Sequence, residues 1–346
     1  MAEKNTSVDT AEVSAEATIE TAPVVKRSLG KRIAKIIKED WQIYVLLAPL
    51  MIWLAIFSYK PMYGLLIAFQ DFNAYKGMSG SDWVGFAKFQ ELFLGRNNTD
   101  FMYAWENNNF WRAFRNTLEI SLTQLVFTFP LPIILALFFN EIKDGLFRRG
   151  VQTVMFLPHF LSEVILCGII TSFVQPNTGI INVLLIRLGV IDTGIYFLTR
   201  PEWFRPVYIY AGIWQGVGFG SIVYFAALSG ISPELYEAAT VDGATKLQKM
   251  LFISLPGIAP TISIMLIIRI GNILNIGYER VLLLYQPVTY STADVLSTYI
   301  YRMGMAQSPP EYSMAAAAGL FNSVIGFILV IGANKASKYL SDTALW

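Results

Sequence analysis

Residues 230–256, GISPELYEAATVDGATKLQKMLFISLP, are the stretch from which the fold is read. Ser232 suits the position before a helix, Pro233 suits the first helical position, and Glu234 complements the positive end of the helix dipole. A helix is therefore predicted to start there. Leu235, Ala238 and Ala239 recur at three- and four-residue spacing and give it a narrow face of small side chains. Gly243 is placed to stop it in a left-handed conformation, and Thr245 to cap a second short helix that carries Leu247, Met250 and Leu251 and closes at Pro256. The expected unit is helix, tight turn, helix. Its alanines let another protein's groove approach closely, while Glu237 offers a charge to an Arg or Lys. An ordinary loop helix is the plainer use of the same residues.

What flanks this unit is too apolar for water. The 346-residue chain is 54% hydrophobic and 15% charged, against about 25% charged in soluble domains. A helix needs about 20 apolar residues to cross a hydrocarbon core of roughly 30 Å. Six stretches fit: Trp41 to Tyr59, the run between Glu119 and Glu141, about 150–174, 206–228, 256–275 and 314–333. The expected fold is an all-α polytopic membrane protein with six transmembrane helices.

Lys26, Arg27, Lys31, Arg32, Lys35 and Lys38 crowd before the first span and place that end in the cytoplasm by the positive-inside tendency. Alternation then puts Lys143, Arg148 and Arg149, the 230–256 loop with Lys246 and Lys249, and Lys335 and Lys338 on the same side. Both termini are expected to be cytoplasmic. The organisation read from this is a disordered tail at 1–25, a basic amphipathic segment at 26–40 and the first span with its outer end at 41–69. An extracytoplasmic loop follows at 70–115, then a five-span core at 116–335 and a cytoplasmic tail at 336–346. Ile33, Ile36 and Ile37 suit a helix lying on the inner leaflet, although basic flanks also serve simply to set orientation. Trp83, Trp105 and Trp111 of the outer loop read as interfacial anchors.

Several chemistries are poorly served. A net charge of +1 gives no basic field for nucleic acid, and one cysteine and one histidine support neither a disulfide nor a clustered metal site. No phosphate loop occurs: Gly145 and Gly150 have its first spacing, but Val151 follows where lysine is required. Gly212, Gly216 and Gly220 read as a small-residue ridge for helix packing. A membrane-embedded enzyme lacks a nucleophile and base.

Polar groups inside the spans are costly in lipid and usually face a bundle interior or wet cavity. Gln124, Glu163, Trp214, Gln215, Arg269, Asn272 and Asn275 are the candidate lining of a substrate path. Together they offer donors and acceptors for hydroxyls beside an aromatic face. A structural pair between Glu163 and Arg269 is the alternative use of those charges. His159, at four-residue spacing from Glu163, is read as structural or interfacial.

Glu237-Ala238-Ala239, Gly243, Ile253 and Leu255-Pro256, at their spacing, resemble the EAA signature of ABC importer permease subunits. Residues 60–73, KPMYGLLIAFQDFN, and 269–285, RIGNILNIGYERVLLLY, are similar to the LplB-type branch of carbohydrate importer permeases, related to the maltose transporter's membrane subunits. The resemblance implies a type I importer permease core in a bacterial cytoplasmic membrane, binding no cofactor itself. Its implied partners are a second permease subunit, two cytosolic ATPase subunits that hold ATP and Mg, an extracytoplasmic substrate-binding protein, membrane lipid and a carbohydrate. Glu237, Ala238, Ala239 and Gly243 would seat in the ATPase groove, supported by Asp242, Ile253, Leu255 and Pro256. An ion-coupled secondary transporter or channel is the alternative that the intramembrane charges suggest.

Overall fold

The computed structural model describes residues 39–96 and 98–341. The expected tail at 1–25, the isoleucine-lysine segment up to residue 38 and the last five residues lie outside them. Internal contacts divide the chain into two units, Met1–Tyr63 and Gly64–Trp346.

In the first unit, the charge-free run forms the Trp41–Leu54 helix and continues through a wider turn at Ala55–Tyr59. None of its side chains is buried within the chain. It is apolar on every face, with Leu46 80% exposed, as a helix surrounded by hydrocarbon would be.

The second unit begins with a short antiparallel hairpin that pairs Gln70–Asp71 with Asp82–Trp83, Gln70 opposite Trp83. Helices Ala87–Leu94 and Phe101–Asn107 follow. Asn108 then caps the next helix by accepting from the Phe110 amide at 2.9 Å, so the second span starts at Asn109, inside the stretch expected as loop, and runs to Glu141. Trp111 is a correction to the anchor reading. It is buried among Phe93, Phe110, Phe114 and Phe321, and its indole N–H donates to the Phe93 carbonyl at 2.8 Å. Trp83 stays exposed and stacks on Phe69.

Among the described residues, four continuous helices are long and apolar enough to cross a membrane: Trp41–Phe69, Asn109–Glu141, Pro201–Leu228 and Tyr312–Ala336. The third and fifth expected spans are instead bent pairs. Leu146–Phe160 meets Glu163–Phe173 at 103°, and Lys246–Gly257 meets Ala259–Gly271 at 61°. Prolines and a new cap explain the breaks. Pro158 sits in a tight turn at Leu157–Phe160, Leu161 is extended, and the Ser162 hydroxyl accepts from the Ile165 amide to start the next helix. In the fifth, Pro256 and Pro260 cannot donate to the preceding turn, and Ile258 between them leaves helical geometry.

Buried apolar side chains gather in three clusters along the bundle. One joins Phe110, Trp111, Leu296, Tyr299 and Ala317. A second joins Ile120, Cys167, Phe204, Tyr208 and Val281, and a third Ile133, Ala136, Tyr224, Leu228 and Ile258. Between the first and second lies a polar knot. Asp294, fully buried, accepts two hydrogen bonds from Arg302, at 2.6 and 3.0 Å, and one from Thr298. Arg302 lies over the rings of Tyr290 and Tyr299, and burial pushes the Tyr299 phenol up to about 12. Asn116 donates to the Ser291 and Asp294 carbonyls and accepts from Arg205, whose other nitrogen pairs with Glu119. The knot thereby fixes the 287–302 segment to the first turns of two long helices.

Candidate functional site

A cavity of about 640 Å³ opens between the Asn109–Thr128, Pro201–Leu228 and Ala259–Gly271 helices, the break in the third span, and the 272–280 segment. Gln124, Glu163, Gln215, Arg269, Asn272 and Asn275 all line it, joined by Thr128, Tyr208, Tyr278 and Arg280. The exception is Trp214. It lines a separate apolar pocket of about 790 Å³ with Pro158, Phe173, Phe197 and Trp203. Neighbouring helical residues point about 100° apart. Tyr208, Gly212, Gln215 and Gly216 fall on the cavity stripe, whereas Tyr210, Ala211 and Trp214 fall on the other pocket.

Glu163 does not pair with Arg269. The Arg280 guanidinium takes it instead, Nε donating to Oε2 at 3.0 Å and Nη2 to Oε1 at 2.8 Å. The reason is tertiary: the break at Leu161–Ser162 turns the first residue of a new helix toward the Tyr278–Leu284 helix. Arg280 also donates to the Gln215 side-chain oxygen and lies over the Tyr208 ring. Gly212 makes room for it, since a Cβ there would lie 3.0 Å from Arg280 Nη1. Arg280 was absent from the candidate set. The signal for it was a charge flanked by apolar residues, Tyr278-Glu279-Arg280-Val281-Leu282, just beyond the fifth span.

Arg269 instead donates to the Thr128 hydroxyl at 3.4 Å. Asn272 donates to the Ile268 carbonyl, and Asn275 to Asn272. His159 lines the cavity but lies flat on Phe219, ring centroids 3.8 Å apart. In the glycine ridge, a Cβ at Gly220 would meet Pro132 at 3.3 Å, so this face packs on the second span's later helix. Gly218, off the ridge, makes the closest approach, against the Met155 carbonyl.

The 230–257 loop folds as helix, turn, helix. Pro233–Val241 is helical with Pro233 at its start, although the Ser232 side chain makes no capping bond. Gly243 adopts φ +78°, a conformation that favours glycine. The Ala244 amide donates to Ala239 and the Gly243 amide to Thr240, which closes the helix end in a Schellman turn. Thr245 and Gln248 form a reciprocal capping box. Tyr236 bonds Ser254 at 2.9 Å and Lys249 donates to Thr240 at 2.6 Å, so the two helices brace each other. Glu237, Ala238, Asp242, Gly243 and Pro256 are exposed, while Ala239, Ile253 and Leu255 are half-buried. Leu235, Val241, Leu247 and Phe252 are apolar and more than half exposed.

Residues 128–336 match the family described as "Binding-protein-dependent transport system inner membrane component". The chain is 40% identical to Protein LplB of Bacillus subtilis (strain 168), over 94% of this chain and 97% of that protein. It is 36% identical to the polygalacturonan/rhamnogalacturonan transport system permease protein YteP of the same organism, over 97% and 99%. It is also similar to a chain of a bacterial ABC transporter involved in the import of the acidic polysaccharide alginate. That match has a TM-score of 0.79 and 46% identity, and covers 90% of this chain and 99% of that one. A second structure of that transporter, with an alginate pentasaccharide-bound periplasmic protein, matches equally well. These likenesses place the chain: it belongs to the inner membrane component family of binding-protein-dependent transport systems, as an ABC permease subunit.

Proposed function

We propose that this subunit forms, with a second permease, the path of an ATP-driven carbohydrate importer in the bacterial cytoplasmic membrane, with both termini in the cytoplasm. The observation that carries the reading is the convergence of Gln124, Gln215, Asn272 and Asn275 with Tyr208 and Tyr278 on one cavity in a chain of this family. Amide side chains match sugar hydroxyls, and rings match the apolar C–H faces of a pyranose. An extracytoplasmic binding protein delivers the sugar, and two cytosolic ATPase subunits bind ATP and Mg.

The 230–257 loop is the docking element for those ATPases. Its exposed Leu235 and Val241 lie outside the apolar spans, Leu247 and Phe252 lie on the first arm of the bent fifth span, and all four suit a partner's groove. Glu237, Ala238, Ala239, Asp242 and Gly243 form the seat, and Ile253, Leu255 and Pro256 carry its displacement into the bent fifth span. The braced turn suits this role because it moves as a body.

The test is ATP-dependent uptake of labelled oligosaccharides by the complete complex in proteoliposomes. Glu237→Lys combined with Gly243→Pro, which cannot adopt a positive φ, should abolish uptake while leaving membrane insertion intact. Undiminished uptake would overturn the coupling assignment.

A further inference from the structure

Four charged side chains line the cavity: Glu163, Arg269, Glu279 and Arg280. Their arrangement is uneven. Glu163 and Arg280 satisfy each other through both carboxylate oxygens, and Arg280 spends a further donor on Gln215. Glu279, on the following helix, and Arg269 are both exposed. Arg269 sits in the last turn of the Ala259–Gly271 helix, within a bent membrane span, and its described partner is the Thr128 hydroxyl, at 3.4 Å. None of the described ion pairs includes it. A guanidinium has five N–H donors in a planar fork that matches a carboxylate, and a hydroxyl answers only one of them. An ionised arginine inside a span is retained where it meets water, a counter-ion or cargo.

We infer that Arg269 is the specificity-determining residue of the cavity and binds the carboxylate of a uronic-acid saccharide, while Gln124, Asn272 and Asn275 take the neighbouring hydroxyls. The inference rests on the carbohydrate reading above and narrows its substrate class to acidic sugars. The competing use of Arg269 is to complement the negative end of its own helix, which any cation in that turn would serve. A lysine would keep that interaction and lose the two-pronged grip on a carboxylate.

The experiment compares two probes in the complete reconstituted complex with ATP: a uronic-acid tetrasaccharide and the same tetrasaccharide with its carboxyl groups reduced to alcohols. The unaltered complex should take up the acidic probe in preference to the reduced one. Arg269→Gln should raise KM for the acidic probe about tenfold, the size of one charge-assisted hydrogen bond, and change that for the reduced probe less than about twofold. Arg269→Lys should fall between the unaltered protein and Arg269→Gln for the acidic probe. Equal losses for both probes in Arg269→Gln, with rescue of both by Arg269→Lys, would assign the residue to helix stability and overturn the proposal. So would equal transport of the two probes by the unaltered complex, or variants that behave as the unaltered protein does. Uptake of neither probe alongside uptake of a neutral oligosaccharide would overturn the Arg269 proposal and leave the carbohydrate reading standing, whereas uptake of no oligosaccharide at all would remove both.

Discussion

Among the described residues, two carboxylate–arginine pairs are each held by two hydrogen bonds across both carboxylate oxygens, and they differ in what surrounds them. Asp294 is sealed from solvent, with both oxygens on Arg302, a third hydrogen bond from Thr298, and Tyr290 and Tyr299 closing over the guanidinium. Glu163 and Arg280 form the same two-bond pair on the wall of a cavity, with 29% and 12% of their side chains exposed. Arg302 is 24% exposed, but Asp294 is not exposed at all, and without its arginine it would be a charge with nowhere to go. A pair beside a wet cavity that loses one partner leaves a charge that water can reach. The first belongs to the scaffold, while the second lines the cavity proposed above as the path of the cargo.

The largest expected effect breaks the sealed pair. Arg302→Gln strands the fully buried Asp294 and should cost about 3–5 kcal/mol, read as a lower midpoint for thermal unfolding in detergent. A midpoint equal to that of the unaltered protein would mean that water already reaches the knot. Arg280→Gln should cost less, about 1–3 kcal/mol, because the freed Glu163 faces the cavity, yet it should slow uptake more than its stability loss explains. If it instead unfolds the protein as thoroughly as Arg302→Gln, the two pairs are not different in kind. The smallest effect is expected outside both. Trp214→Leu shortens a side chain that is already 39% exposed and should cost about 1.5 kcal/mol or less, only part of the value of a fully buried apolar group, with uptake kinetics unchanged. A changed KM would put that pocket on the sugar's route.

The elements that depend on local chemistry were legible in the sequence. Apolar runs located the spans, Gly243 and Thr245 marked the loop's turn and second cap, and the expense of polar groups in lipid picked out Gln124, Glu163, Gln215, Arg269, Asn272 and Asn275. What escaped depends on distant partners. The Glu163–Arg269 pairing assumed straight helices, whereas the break after Phe160 swings Glu163 to Arg280, 117 positions away in sequence. Pro158 and Ser162 carried the signal for that break. Trp214 was grouped with Gln215 by adjacency, and only the helix's rotational setting against its neighbours separates them. Trp111 read as an anchor because its burial depends on Phe321, far along the chain.

The Pro201–Leu228 helix stands as a partition, with amides and small residues toward one compartment and rings and branched aliphatics toward the other. Under the function proposed above, a change of cargo would act on the cavity stripe and leave the opposite one untouched, within the limit that Gly212, Gln215 and Tyr208 also seat Arg280. Cargo preference can drift in such a wall long before its architecture does.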